Sequence, residues 1–139
     1  MKTKLESIET MAKDLIKYYI PEYSFVWDRS RRRKGQCRFS VKQIGVSKPL
    51  AEINTVESML LTVTHEIAHA LLPKDGHNKN WKTKCLEIGG DGKTYYDKSD
   101  TVMPMKKWEI FRSDGTSTGI KRFRRCTLRE GYHWQKILK

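Results

Sequence analysis

Apolar residues recur at steps of three and four residues near the start of the chain. Because such positions share one face of a helix, the pattern predicts an amphipathic helix over 4–19 that packs on a core. Pro21 follows and would close the helix. The apolar stripe consists of Leu5, Ile8, Ala12, Leu15, Ile16 and Tyr19.

A second stretch with helical periodicity spans roughly 55–72. Asn54 and Thr55 are both favourable N-cap residues, and Glu57 follows Asn54 at the spacing of a capping box. Pro73 predicts the end of this helix. Its apolar positions fall on one arc, which predicts a core face made of Met59, Leu60, Val63, Ile67, Ala70 and Leu71.

Stretches rich in aromatic and β-branched residues predict strands between these helices. We expect strands at 23–27 and 37–41, joined by a basic loop over 29–35 into a hairpin, and a third strand near 44–46. Beyond the second helix, residues 89–105 lack periodicity and are predicted to be irregular.

The last third of the chain changes character. Strands are predicted at 106–112, 120–126 and 132–134, with a turn over 113–116. Basic residues alternate there with aromatic ones. This pattern is typical of a surface where cations meet phosphates and rings stack on bases, and equally of a small sheet with one aromatic core face.

The second helix contains the sequence H-E-x-x-H at 65–69. His65 and His69 lie on one helix face and can hold one metal ion. Glu66 is rotated by roughly 100° from His65, which places its carboxylate beside such an ion, where it could accept a proton from water. The pattern indicates a zinc-dependent hydrolase, most simply a peptidase. The alternative is a pair of surface histidines on an ordinary amphipathic helix.

A third histidine, His77, follows His69 too far along the chain to share its helix surface. A turn must therefore return it, and Pro73 and Asp75-Gly76 both favour a turn. A short helix capped by Asn78 or Asn80 is expected next. It would run to Ile88 with Trp81 and Cys85 on its inner side, and end at Gly89-Gly90.

Composition limits the class of protein. The chain has 139 residues, of which 32% are charged, and no apolar run approaches a membrane span. The first residues lack the apolar core of a signal peptide, so we expect cytoplasmic residence and no membrane partner. Cys37, Cys85 and Cys126 are odd in number and far apart, which favours reduced thiols over a disulfide framework.

The net charge of +12 favours a polyanionic partner, above all nucleic acid. The alternative is a solvated basic surface that binds nothing in particular. The charge is clustered, and the candidate nucleic-acid residues are Arg29, Arg31, Arg32, Arg33, Lys34, Arg38, Lys121, Arg122, Arg124 and Arg125.

The motif at 65–71 together with Gly76-His77-x-x-x-Trp81 resembles the SprT-like metallopeptidase family, which includes the Spartan DNA-dependent proteases. The segments Gly35-x-Cys37 and Ile44-x-Val46-Ser47 are similar as well, and the resemblance covers roughly residues 5–90. H-E-x-x-H alone is shared by many zincins, so G-H-x-x-x-W is the more specific part.

By position, this resemblance implies that His65, His69 and His77 ligate one zinc ion and that Glu66 is the general base. Trp81 would pack against the His77 segment. The resemblance also implies an α+β fold. We expect a zincin-like catalytic domain over 1–92 and a basic, aromatic-rich β appendage over 93–139 that packs on it.

The chain departs from the family in its last third. Many members carry a zinc ribbon with two cysteine pairs, whereas residues 106–136 contain only Cys126. We therefore expect a ribbon-like sheet without a second zinc ion. The small size and the missing ribbon would fit a phage or mobile-element protein. We expect a monomer that acts on protein substrates.

Two further interpretations stay open at this point. Tyr95 and Tyr96 could hydrogen-bond an oxyanion that develops near the zinc, or could be half-buried packing residues. The whole protein could instead be a basic nucleic-acid-binding module whose metal site is structural or vestigial. An open fourth zinc position and the presence of Glu66 argue against that alternative.

Overall fold

The computed structural model describes residues 2–94 and 102–137. The chain forms two compact units, Met1–Met103 and Pro104–Lys139. Residue 102 belongs to the first unit, because the Val102 N–H donates to Oδ1 of Asn54 at 2.7 Å and the Asn54 amide donates back to the Val102 carbonyl at 2.9 Å. The structural division thus falls later than residue 92, and the assignment of a catalytic domain and an appendage remains a prediction.

The described part of the first unit combines four helices with a three-stranded sheet, the mixed α+β arrangement that the sequence predicted. None of the described helices is long and apolar enough to cross a membrane. The elements are α1 (Lys4–Tyr19), β1 (Ser24–Asp28), β2 (Gly35–Arg38), β3 (Gln43–Ser47), α2 (Lys48–Ile53), α3 (Val56–Leu71) and α4 (Lys79–Glu87).

Helix α1 has the predicted bounds and buries the predicted stripe. Thr3 caps it by accepting from the Glu6 N–H, while the Glu6 side chain accepts from the Thr3 N–H, which completes a capping box. Ile8, Ala12 and Ile16 are buried in the main core. The helix therefore covers one face of the sheet through a conventional amphipathic surface.

The predicted hairpin of the first two strands is wrong. The sheet order is β1-β3-β2, with β3 parallel to β1 and antiparallel to β2. Ile44 and Val46 on β3 are fully buried, so this strand takes the central position, where apolar residues on the core face are best covered. The tight connection is the turn 39–42 between β2 and β3, and β2 ends at Arg38 rather than at Val41.

Two features before the third helix differ from the sequence prediction. Helix α2, capped by Ser47, was not predicted. Helix α3 is capped by Thr55, whose hydroxyl accepts from the Ser58 N–H at 3.1 Å. Asn54 has another role because its amide also donates to the Leu50 carbonyl at 2.8 Å, so the predicted capping box is absent.

Helix α3 is buried on more than its apolar face. Met59, Val63 and Ile67 enter the main core as predicted. The side that carries Thr62 and His65 is also buried. A helix covered on both sides can hold polar groups away from bulk water, which is the condition that a metal site requires.

Residues 104–137 of the second unit form an antiparallel three-stranded sheet. Its strands are β4 (Trp108–Arg112), β5 (Ser117–Arg122) and β6 (Tyr132–Lys136), in the order β5-β4-β6. Every residue over 104–137 is partly or fully exposed. The three predicted strands form a sheet, although β5 begins before the predicted residue 120 and ends at Arg122 rather than at Cys126.

Replacing Ile8 by Ala should lower the free energy of unfolding by ~2–5 kcal/mol, because Ile8 is fully buried and the change leaves a cavity. Urea denaturation would measure this. Tyr18→Ala on the same helix is the control, since Tyr18 is 79% exposed and its loss should cost under ~0.5 kcal/mol. Equal losses for the two variants would contradict the packing described for α1.

Candidate metal centre

Three histidine side chains converge on one point of the first unit. The Nε2 atom of His65 lies 3.2 Å from that of His69 and 3.2 Å from that of His77. The Nε2 atoms of His69 and His77 are 2.9 Å apart. Among the described residues, these three form the group able to hold a metal ion.

The backbone explains why these rings meet. His65 and His69 are one helical turn apart on α3, as predicted. After Leu72, whose N–H donates to the Ala68 carbonyl, the chain turns through Gly76 with a φ of +56°. Glycine adopts this left-handed conformation without strain, so the turn can return His77 to the helix. The predicted role of the turn is therefore confirmed by the geometry.

Trp81 supports all three rings from α4. It is fully buried, and its ring centroid lies 4.7 Å from that of His65, 5.2 Å from that of His69 and 4.8 Å from that of His77. The interplanar angle with His69 is 24°, which is a stacked arrangement. Trp81 thus packs against the cluster itself as well as the His77 segment.

Burial keeps two of these rings in the form that binds metals. Desolvation, followed by repulsion from the neighbouring histidines, lowers the pKa of His65 to about 4. The same causes, with His77 as the neighbour, lower the pKa of His69 to about 4. Both imidazoles are therefore neutral at pH 7, and a neutral imidazole nitrogen is the metal ligand.

Glu66 lies beside the cluster in a buried position. Burial raises the pKa of its carboxyl group to about 7, and the positive charge of Arg33 acts in the opposite direction. Among the described residues, no hydrogen-bond donor reaches Oε2 of Glu66. A buried carboxylate oxygen needs a donor to offset its lost hydration, and a water molecule at the histidine cluster would supply one.

Gly35 on β2 allows the close approach of the strand to Glu66. A Cβ atom at this position would lie 2.7 Å from Cγ2 of Thr62 and 3.2 Å from Cγ of Glu66. The strand therefore presses directly on the carboxylate-bearing turn of α3. Gly35 was predicted only as the last residue of the basic loop 29–35, so this contact was not expected from the sequence.

The donor set fits zinc. Nitrogens bound to one zinc ion at about 2.0–2.1 Å in a tetrahedral arrangement are about 3.3 Å apart, close to the separations of the three Nε2 atoms. Three imidazoles, with no fourth protein ligand in the group formed by the described residues, match the pattern of catalytic sites. The orphaned Oε2 of Glu66 lies on the same helix, one position after His65.

The sequence of the chain matches the model of a known protein family. This model, of the SprT-like family, matches residues 5–102. The chain belongs to the SprT-like family. The chain is therefore a zinc metallopeptidase, as the sequence predicted. No curated protein sequence matches the chain.

Two solved structures resemble this SprT-like chain. One is the metallopeptidase zymogen jannalysin of Methanocaldococcus jannaschii, at 15% identity and a TM-score of 0.51, covering 67% of this chain and 85% of that chain. The other is the metallopeptidase zymogen abylysin of Pyrococcus abyssi, at 18% identity and a TM-score of 0.47, covering 60% and 78%. The likeness to jannalysin supports the predicted zincin-like fold.

The predicted nucleic-acid residues of the first unit occupy different environments. Arg29, Arg31, Arg32 and Arg33 are exposed in the loop before β2. Lys34 does not fit the prediction, because it is 3% exposed and its Nζ donates to Oγ of Ser58 at 2.6 Å. Its ammonium group is therefore directed into the protein.

Arg38 contacts polar side chains on the face of the sheet away from α3. It donates through Nε to Oε1 of Gln36 at 3.2 Å and lies 4.0 Å from a carboxylate oxygen of Asp28. Arg33 also donates to Oε1 of Gln36, at 2.9 Å. Two guanidinium groups thus share one amide oxygen beside the edge of the sheet.

The predicted nucleic-acid residues of the second unit also occupy different environments. Lys121 lies 3.9 Å from a carboxylate oxygen of Glu109, whereas Arg124 is exposed. The guanidinium of Arg125 lies 4.5 Å from the centroid of the Trp108 ring, and Arg122 is the cross-strand partner of Trp108. Cations therefore flank an aromatic side chain on this sheet.

The segment that follows α4 also contacts the cluster, which the sequence did not predict. The ring of His65 hydrogen-bonds to the backbone of Lys93. A backbone group has no sequence signature, and only the clustered glycines at 89–92 hinted at a special conformation. Tyr95 and Tyr96, predicted as oxyanion or packing residues, lie outside the described residues.

Purified protein should contain about one zinc ion per chain, and His77→Ala should lose most of it because one ligand of three is removed. Elemental analysis of the two proteins would measure this. His133→Ala is the matched control, since His133 lies in the second unit and is exposed. Equal zinc content in wild type and His77→Ala would exclude the three-histidine assignment.

Proposed function

We propose that this chain hydrolyses peptide bonds with zinc held by His65, His69 and His77 and with Glu66 as the general base. The observation that carries the proposal is the convergence of three Nε2 atoms within 3.2 Å of one another next to a buried carboxylate. Ligands and base come from one helix and its following turn. The same groups are at the positions that the SprT-like motif provides.

Zinc bound by the three histidines would lower the pKa of a water molecule and polarise the scissile carbonyl. Glu66 accepts a proton from the attacking water and delivers it to the departing amine. A carboxyl group whose pKa is raised to about 7 can both accept and release a proton near neutral pH. Trp81 keeps the three imidazoles in place while this occurs.

Strand β2 is the part of the sheet suited to hold the substrate backbone. It is an edge strand, and its first residue, Gly35, contacts the helical turn of Glu66. An extended peptide can add to a sheet edge through main-chain hydrogen bonds. A substrate paired with β2 would bring its scissile carbonyl beside the histidine cluster.

Glu66→Gln should keep the zinc ion and lower peptide hydrolysis by about 10²–10⁴-fold, because the amide cannot accept a proton. Casein or a quenched peptide library would report hydrolysis, with zinc content measured on the same samples. Glu57→Gln is the control, since Glu57 is exposed on the first turn of the same helix. Hydrolysis at the wild-type rate by Glu66→Gln would disprove this mechanism.

We also propose that DNA is a partner and that DNA-associated proteins are substrates. In the second unit, Trp108 faces Arg122 on β5 and Lys136 on β6. Directly opposed residues share a face, so ring and cations lie together there, and Arg125 adds a cation above the ring. Aromatic rings flanked by cations bind single strands by stacking and by phosphate contact.

The exposed arginines before β2 provide a second cationic group for a phosphate backbone. Arg33 and Arg38 both donate to Gln36, which brings two guanidinium groups close together. A phosphate oxygen accepts hydrogen bonds from such groups in the same way as the amide oxygen does. Lys34 is excluded from this group by its burial.

Binding to a fluorescent single-stranded oligonucleotide should weaken as salt rises, because phosphate contacts release counterions. Arg122→Gln with Arg125→Gln should lower the affinity and reduce the steepness of the salt dependence by about one unit per lost contact. Lys13→Gln with Lys17→Gln on α1 is the charge-matched control. Binding unchanged between low and high salt would contradict the proposed partner.

The same protein variants distinguish the proposed enzyme from the alternative function, which is a nucleic-acid-binding protein with a structural or vestigial metal site. It requires salt-sensitive DNA binding by wild type and no hydrolysis with or without DNA. The enzyme proposal requires hydrolysis that depends on Glu66. Added DNA should raise the rate if the bound nucleic acid brings substrate and enzyme together.

A further inference from the structure

His65 is the most buried ligand of the cluster, and the cluster uses only one of its ring nitrogens. Nε2 of His65 faces the other two histidines. The ring also hydrogen-bonds to the backbone of Lys93, and Nδ1 is the nitrogen left for this bond. The Lys93 N–H donates to Oδ1 of Asp91, so the partner of the ring is the Lys93 carbonyl, and Nδ1–H of His65 donates to it.

The backbone reaches this position through a close passage along α4. The Gly90 N–H donates to the Cys85 carbonyl at 2.7 Å, and a Cβ on Gly90 would lie 2.5 Å from Sγ of Cys85. Only glycine allows an approach of this kind without displacing a side chain or the backbone. The backbone can therefore pass this close to α4 only because residue 90 is a glycine.

Gly92 is the second restricted position. It is buried, its φ is +69°, and a Cβ there would lie 3.2 Å from Cγ of Leu86 and 3.2 Å from Cγ of Lys82. A larger residue would be strained by its backbone conformation and crowded by α4. Gly92 directly precedes Lys93, so any shift there moves the carbonyl that meets His65.

Asp91 fixes the Lys93 backbone through its N–H group. Its Oδ1 accepts from the Lys93 N–H at 3.0 Å, which closes a local side-chain turn. Gly92 and Asp91 together therefore determine the direction of the Lys93 carbonyl. Neither residue belongs to the H-E-x-x-H or G-H-x-x-x-W motif.

We propose that residues 89–93 form the outer support of the metal centre. Gly92 and Asp91 are positioning residues that hold the Lys93 carbonyl against the Nδ1–H of His65. This bond selects the tautomer with Nε2 unprotonated, fixes the orientation of the ring, and raises the affinity of the site for zinc. The inference rests on the proposed function because it assumes that the three histidines hold zinc.

The first test is zinc affinity, measured by competition with a chromophoric chelator. Gly92→Ala should weaken zinc binding by about 10- to 100-fold, the usual cost of losing an outer-shell partner of a ligand. Gly115→Ala is the control for backbone strain, since Gly115 also has a positive φ but has no atom within 4 Å of a built Cβ. Its zinc affinity should equal that of wild type.

A pair of Asp91 variants separates position from charge. Asp91→Ala removes the acceptor for the Lys93 N–H and should weaken zinc binding. Asp91→Asn keeps an oxygen acceptor and should restore most of the affinity. Equal weakening by both variants would show that the carboxylate acts by charge, which would overturn the positioning role.

The tautomer is measured on wild type, so it does not depend on whether a variant folds. Nitrogen-15 NMR of the imidazole rings should show Nδ1 of His65 protonated in the metal-free and zinc-loaded protein. A His65 ring with an unprotonated Nδ1 would overturn the inference. Wild type without zinc would overturn the proposed function and this inference with it. Zinc binding equal in wild type, Gly92→Ala and Asp91→Ala would overturn this inference alone.

Discussion

Three imidazole nitrogens held within 3.2 Å of one another form the constraint on which the rest of the first unit depends. Polar groups in the interior cost free energy unless each has a partner. The protein satisfies this condition by packing Trp81 against all three rings and by hydrogen-bonding His65 to the backbone after α4. A shared cation would be the partner that the three Nε2 atoms need.

Helix α3 can hold these groups because both of its sides are covered. The core face fixes its position against α1 and the sheet, while β2 presses on the other side through Gly35. The resulting burial raises the pKa of Glu66 and lowers those of His65 and His69. One physical cause, burial, therefore shifts the pKa values of the candidate base and of two candidate ligands.

The positive charge of the chain serves more than one purpose. Lys34 is buried against Ser58 and helps hold the basic loop to α3, and Arg38 pairs with groups on its own sheet. The arginines of that loop and the cations around Trp108 are instead exposed at the surface. Tertiary position therefore decides which of the basic residues reach the surface.

The sequence predicted helices α1, α3 and α4, the three candidate ligand histidines, the candidate base and the family, because helical spacing places His65, His69 and Glu66 by local geometry alone. It did not determine the strand order, since the choice of β3 as the central strand depends on which faces α1 and α3 cover. It also could not reveal the burial of Lys34, the contact of Gly35 with Glu66, or the Lys93 carbonyl at His65. These depend on backbone passing close to a distant part of the chain, and only the tertiary structure decides such contacts.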